Sequence, residues 1–148
     1  MKPARFDYYS PSSRDEALEL LGQYGDDAKI LAGGQSLMPM MNMRLVRPKV
    51  VIDINRIAGL SHITPRRDGG LAVGAMTRQR ELERSALVLE TAPLLSLAIP
   101  YIGHFQIRNR GTVGGSLAHS DPAAEIPAVC LTLETEFELA NSGGERTV

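Results

Sequence analysis

The apolar positions of this chain follow one rhythm up to about residue 55 and another beyond it. In the first stretch Ala17, Leu18 and Leu21, with Leu20 beside them, recur at the spacing of a helix face. Ser12 or Ser13 stands ahead of that face as a cap, and Asp15 and Glu16 fall in the first turn, where negative charge suits the helix dipole. Gly22 and Gly25 punctuate its end. Lys29-Ile30-Leu31-Ala32 reads as a short strand, and Val50-Val51-Ile52-Asp53-Ile54 is an apolar run typical of a strand covered on both faces. Residues 37–45 between them read as a short helical or irregular segment rich in methionine. Strand, crossover and strand predict a small parallel sheet.

Beyond Asn55 the texture changes. Residues 60–65 and 71–74 bracket Asp68-Gly69-Gly70, a good hairpin turn. Thr77 is placed to cap a helix running to about Arg84, and residues 91–99 predict a second helix. Residues 103–122 are rich in glycine and polar side chains and break both periods. Residues 125–133 read as a helix and 135–140 as a strand. Asn141-Ser142-Gly143-Gly144 then reads as a turn into Glu145-Arg146-Thr147-Val148, a return strand that stops short and suggests a longer parent chain. The pattern divides the chain into subdomains at 1–55 and 56–148, in an α+β arrangement.

Composition narrows the classes. With 148 residues, 43% hydrophobic and 22% charged, the chain has the make-up of a globular protein able to bury a core without staples. A net charge of −1 gives no electrostatic case for nucleic acid or an anionic membrane as partner. No apolar run approaches a membrane span, and the N-terminus lacks the apolar core of a signal peptide, so a cytoplasmic location is the default expectation. Cys130 is the only cysteine, lies in an apolar run, and is expected as a core thiol. A single thiol holds neither an internal disulfide nor a four-cysteine cluster.

Two glycine-rich segments carry the candidate chemistry. Leu31-Ala32-Gly33-Gly34-Gln35-Ser36-Leu37 follows a strand directly. Glycine lets successive N–H groups turn toward one point and lets a phosphate approach with no Cβ in its way. Ser36 adds a hydroxyl, although a plain tight turn has the same signature. Gly111-Thr112-Val113-Gly114-Gly115-Ser116 offers a similar set, and Asp121 beyond it is suited either to ribose hydroxyls or to capping the helix near Ala123. Neither segment is a P-loop or a Rossmann fingerprint. Two such loops suggest a pyrophosphate held from two sides, a role in which Gly33→Val or Gly114→Val would remove binding and leave the fold intact.

In order, Ala32-Gly33-Gly34-Gln35-Ser36-Leu37 with Pro39, Asp53-Ile54, Val73-Gly74-Ala75-Met76-Thr77 and Gln106-Ile107-Arg108-Asn109-Arg110-Gly111-Thr112-Val113-Gly114-Gly115-Ser116 resemble the FAD-binding subunit of the carbon monoxide dehydrogenase / xanthine dehydrogenase family. The resemblance runs from Phe6 to the last residue and covers about the first half of such a subunit. It implies the two-subdomain FAD-binding fold of the vanillyl-alcohol-oxidase/PCMH type: a small parallel α/β subdomain, then an antiparallel sheet with helices. It implies FAD contacts at residues 31–37, at 111–116 and at Asp121, the last toward the nucleotide end. It further implies an oxidoreductase subunit that relays electrons to an external acceptor. The electrons would come from [2Fe–2S] clusters on a small subunit, and a large subunit would carry the molybdopterin, in a dimer of heterotrimers. This chain departs from the pattern at Ser116, where relatives commonly have Asn, and at Gly103-His104-Phe105, where they often have Pro next to the Gln.

The other candidates weigh less. His62, His104 and His119 have no metal-ligand spacing, and no nucleophile–base pair or paired carboxylate stands out. His119 is expected exposed, Arg108 and Arg110 in structural or surface ion pairs, and Met38, Met40, Met41 and Met43 in packing. Two alternatives stay open: a standalone flavin oxidoreductase of the same fold, such as the cell-wall enolpyruvyl reductases, and a non-catalytic nucleotide-binding fragment.

Overall fold

A computed structural model describes residues 1–148, which divide into two units: Met1–Ala58 with Glu136–Val148, and Gly59–Thr135. The first is built on three parallel strands, β1 (Asp7–Tyr9), β2 (Ala28–Leu31) and β3 (Val50–Asp53), in the order β1-β3-β2. The apolar run of β3 is buried because it occupies the centre; Val50, Val51 and Ile52 are all buried. β1 escaped the sequence reading, since its three residues are mostly exposed and show no alternation.

Helix α1 (Arg14–Tyr24) links β1 to β2. Ser13 is its cap, accepting the Glu16 N–H at 3.2 Å, and it ends at Gly25 with φ 51°. Only Ala17 of the expected face is fully buried. Helix α2 (Leu37–Asn42) links β2 to β3 and buries Met41, while Met43 beyond it is 57% exposed. Of the methionines expected in packing, Met41 is in the core and Met43 is on the surface.

The C-terminal strands β6 (Glu138–Asn141) and β7 (Gly144–Thr147) pair along their whole length, and Phe137 and Val148 exchange two further hydrogen bonds. The expected return strand is thus present and is paired up to Val148. The hairpin's place departs from the expected 56–148 subdomain. Arg14 bonds to Glu145 at 2.7 Å and Ser142 packs on Gly22 of α1, so the hairpin belongs with the first unit.

The second unit pairs β4 (Ile63–Pro65) with β5 (Leu71–Val73) around the expected turn, and its remaining elements are helical. Leu82, Val88, Ile99, Val113 and Ile126 form its core, with Val73, Leu95 and Leu117 against them. Cys130 lies half-buried at the edge of this core, and burial pushes its thiol above the usual range.

Three expectations give way here. Thr77 does not cap α3 (Gln79–Arg84); Arg78 does, with its N–H on the Glu81 carboxylate at 2.9 Å. Thr77 is buried and spends its hydroxyl on the His62 backbone, accepting at 3.1 Å and donating at 2.9 Å. The single helix expected at 91–99 is instead α4 (Ala86–Thr91) and α5 (Pro93–Ala98). Pro93 pushes the residue before it out of the helical region, and Ala92 sits at φ −133°, ψ 62°. The aperiodic stretch at 103–122 contains α6 (Phe105–Arg110) and α7 (Val113–His119); α8 (Glu125–Thr132) follows as expected.

Candidate functional site

The loop after β2 lies at the carboxyl end of a parallel strand, the end at which such sheets present ligand-binding loops. Four of the five carbonyls from Ala32 to Ser36 are occupied, and Gln35 O is the exception because Pro39 has no N–H to offer it. Ala32 O accepts from Asn55 Nδ2 at 2.9 Å, Gly33 O from Gln35 Nε2 at 3.2 Å, Gly34 O from Met38 N at 3.1 Å and Ser36 O from Met40 N at 3.2 Å. The backbone N–H groups of residues 33–37 take no part in the chain's backbone-to-backbone hydrogen bonding. A trans peptide points its N–H opposite its carbonyl. Pinning these four carbonyls therefore fixes the direction of the N–H groups of Gly33, Gly34, Gln35 and Leu37. Gly34 needs its glycine, with φ 73° and a would-be Cβ 3.1 Å from Leu31 Cδ1. Ser36 is exposed and its hydroxyl is available. A row of N–H donors outside the backbone network is suited to an anion such as phosphate.

The second segment is different in kind. Thr112 caps α7 and accepts the Gly115 N–H on Oγ1 at 3.2 Å, and Ser116 N donates to Thr112 O at 3.1 Å. Val113 N donates to Thr77 O at 3.1 Å and Gly114 N to Ala75 O at 2.8 Å; Gly111 N is held by Ile107 O at 2.7 Å. Five of the six amides expected to face a phosphate here, all but that of Thr112, are therefore spent on the fold. The glycines have packing reasons: a Cβ at Gly111 would meet Gln79 Oε1 at 2.5 Å, and one at Gly114 would meet Ala75 Cβ at 2.7 Å. The approach to Ala75 explains a glycine at position 114 in the first turn of α7, where propensity alone disfavours it. They also correct the expectation that Gly114→Val would spare the fold. Thr112 is buried, whereas Ser116 is half-exposed and its side chain is the segment's available donor.

Asp121 accepts the Ala123 N–H at 2.9 Å and so fixes the turn into α8, whose cap position is Ala124. His119 is exposed on the last turn of α7. Arg108 is buried and structural: it bonds to Glu83 at 2.9 and 3.3 Å and to the carbonyls of Ile102 and Gly103 at 3.0 and 3.1 Å. Hydrogen bonds from Arg108 and then Arg80 hold the Glu83 carboxyl below its ordinary value. Arg110 is exposed, and its carbonyl takes a bond from Arg78.

Sequence reasoning did not single out Asn55 or Tyr8 and used Asp53 only as part of a motif. Tyr8 OH donates to Asp53 Oδ2 at 2.5 Å, and Asn55 donates to Asp53 Oδ1 from both its backbone, at 2.9 Å, and its side chain, at 2.6 Å. The signal was present as polar residues at the carboxyl end of the apolar strand β3. No grouping of His, Cys, Asp or Glu suits a metal ion, and no helix is long and apolar enough to cross a membrane.

A family model described as "FAD binding domain in molybdopterin dehydrogenase" matches residues 4–148. The chain is 49% identical over its whole length to the 6-hydroxypseudooxynicotine dehydrogenase complex subunit alpha of Paenarthrobacter nicotinovorans, covering 50% of that protein. It is 47% identical to the carbon monoxide dehydrogenase medium chain of Hydrogenophaga pseudoflava, again over all of this chain and 51% of the other. A solved carbon monoxide dehydrogenase from the latter organism, lacking the Mo-pyranopterin moiety of its cofactor, superposes with a TM-score of 0.96 over 100% of this chain and 51% of that one, at 47% identity. Quinoline 2-oxidoreductase from Pseudomonas putida 86 does so with 0.95 at 38% identity, over 100% of this chain and 51% of the other. The chain thus spans about half the length of the relatives it matches.

Proposed function

Because the chain belongs to the family of FAD-binding domains of molybdopterin dehydrogenases, we propose that it holds FAD as the flavin-bearing part of a molybdenum hydroxylase. The observation that carries the reading is the row of backbone N–H groups at residues 33–37, four of them directed by pinned carbonyls and all outside the backbone hydrogen-bond network. That row fits the anionic oxygens of a pyrophosphate. The segment at 111–116 fits less well than its sequence promised, because all its amides but that of buried Thr112 are engaged. Its contribution is assigned to the Ser116 side chain, and Asp121 is assigned a contact at the nucleotide end through the carboxylate edge not used by Ala123. We assign the two-subdomain fold to the vanillyl-alcohol-oxidase/PCMH type.

When bound, FAD supplies the redox chemistry, and the protein's part is to bind and orient it. The names of the relatives support a subunit role: dehydrogenase "medium chain" and "complex subunit". In the assembly we propose, a large subunit carries the molybdopterin and a small subunit the [2Fe–2S] clusters, as a dimer of heterotrimers. Electrons pass from the clusters through the flavin held here to an external acceptor. The lone Cys130 supports placing the clusters on another chain.

The test is reconstitution of the purified chain with FAD, followed by removal of free flavin. Retention of about one equivalent of FAD supports the reading. Failure to retain any would remove it and favour the non-catalytic alternative.

A further inference from the structure

We infer that Asn55, oriented by Asp53 and Tyr8, is a positioning residue that sets the direction of the Gly33 N–H, the first donor of the proposed phosphate-facing loop. The inference rests on the reading of residues 33–37 as that loop. The β2–β3 ladder ends with Ile54 N on Leu31 O at 3.1 Å. One residue later, the Ala32 carbonyl is caught by the side chain of Asn55 at 2.9 Å, not by a strand. That carbonyl and the Gly33 N–H belong to one planar peptide, so holding the oxygen aims the N–H the opposite way.

Without that bond the peptide can turn over at low cost. The flip changes only ψ of Ala32 and φ of Gly33, and glycine accepts the new φ. The turned peptide would present a carbonyl to an anion in place of a donor. Asn55 is itself held. Its N–H and Nδ2 both bond to Asp53 Oδ1, at 2.9 and 2.6 Å, and Tyr8 OH holds Asp53 Oδ2 at 2.5 Å. The chain Tyr8–Asp53–Asn55–Ala32 thus links all three parallel strands to one peptide plane.

The experiment uses the isotope-labelled 148-residue chain, with and without FAD, and with inorganic pyrophosphate as a second probe. The readouts are the Gly33 amide resonance and its hydrogen exchange, together with affinity. In Asn55→Ala the Gly33 resonance should move while β3 signals stay in place. FAD and pyrophosphate should each bind about tenfold more weakly, the scale of one lost hydrogen bond. Asp53→Asn keeps an oxygen for Asn55 and should stay within about twofold of wild type, whereas Asp53→Ala should follow Asn55→Ala. An unmoved Gly33 amide with unchanged affinity in Asn55→Ala would overturn the inference. If Asn55→Ala does not fold, equal behaviour of Asp53→Asn and Asp53→Ala would overturn it as well. Should the wild type bind no FAD, the flavin reading falls by itself, and the Gly33 amide still decides the positioning role.

Discussion

Gly114→Ala separates two explanations of the same glycine. If Gly114 exists to admit a phosphate, an added methyl group removes binding and leaves the fold alone. The structure supports the other explanation. A Cβ there would lie 2.7 Å from Ala75 Cβ and 2.9 Å from Ala75 O, inside any real contact distance. Restoring van der Waals separation requires a shift of about 1 Å between α7 and the segment at Ala75. The Gly114 N–Ala75 O bond is 2.8 Å, and a shift of that size breaks it. The adjoining Val113 N–Thr77 O bond, at 3.1 Å, is strained by the same movement. Overpacking costs about 1–3 kcal/mol and each lost hydrogen bond about 1 kcal/mol. Replacing a helical glycine by alanine returns at most about 1 kcal/mol. The net expectation is a destabilisation of about 1–3 kcal/mol, or a Tm lowered by roughly 3–10 °C. Thermal melts followed by circular dichroism, with urea titration as a check, measure this. A variant that melts within about 1 °C of wild type yet fails to hold FAD would refute the packing argument.

Ser36→Glu should act oppositely. Ser36 is exposed, so the melt stays near that of wild type, while a carboxylate beside the donor row weakens FAD or pyrophosphate by about tenfold or more, measured by fluorescence titration. Thr112→Val keeps the buried shape and removes the oxygen that caps α7, which should cost about 1 kcal/mol in urea melts. Arg108→Ala leaves Glu83 without its main partner and should destabilise by about 3 kcal/mol, far more than a surface pair would. Because the folded chain depresses the Glu83 pKa, that pairing stabilises fully above the unfolded value near 4.3 and is lost as pH falls through the lower folded value. Glu83→Gln should therefore flatten the acid limb of the stability profile, read from urea midpoints between about pH 3 and 6.

The first unit was largely legible because its signals are local. Ser13 caps α1, the apolar run of β3 occupies the sheet centre, and the crossover order forces the strands parallel. The second unit was legible only in part, because packing overrides local preference there. Thr77 has the sequence of a helix cap, but its burial beside His62 gives its hydroxyl another use. Gly114 and Gly115 read as a flexible loop, but contact with Ala75 and a threonine cap make them the first turn of a helix. The same limit governed the candidate site. Glycine content marked both loops, but only hydrogen bonding distinguishes the first, whose amides stay outside the backbone network, from the second, where all but the Thr112 amide are spent. Asn55 stood outside either motif because its role depends on a partner at Ala32, reached across the sheet.

The central claim is that residues 33–37 receive the phosphates of FAD. An amide-resonance titration of the labelled chain with FAD tests it most directly. The account predicts saturable shifts largest at the backbone amides of residues 33–37, with retained flavin after desalting and smaller changes at the amides of 113–116. Shifts confined to other regions, or no saturation, would contradict it.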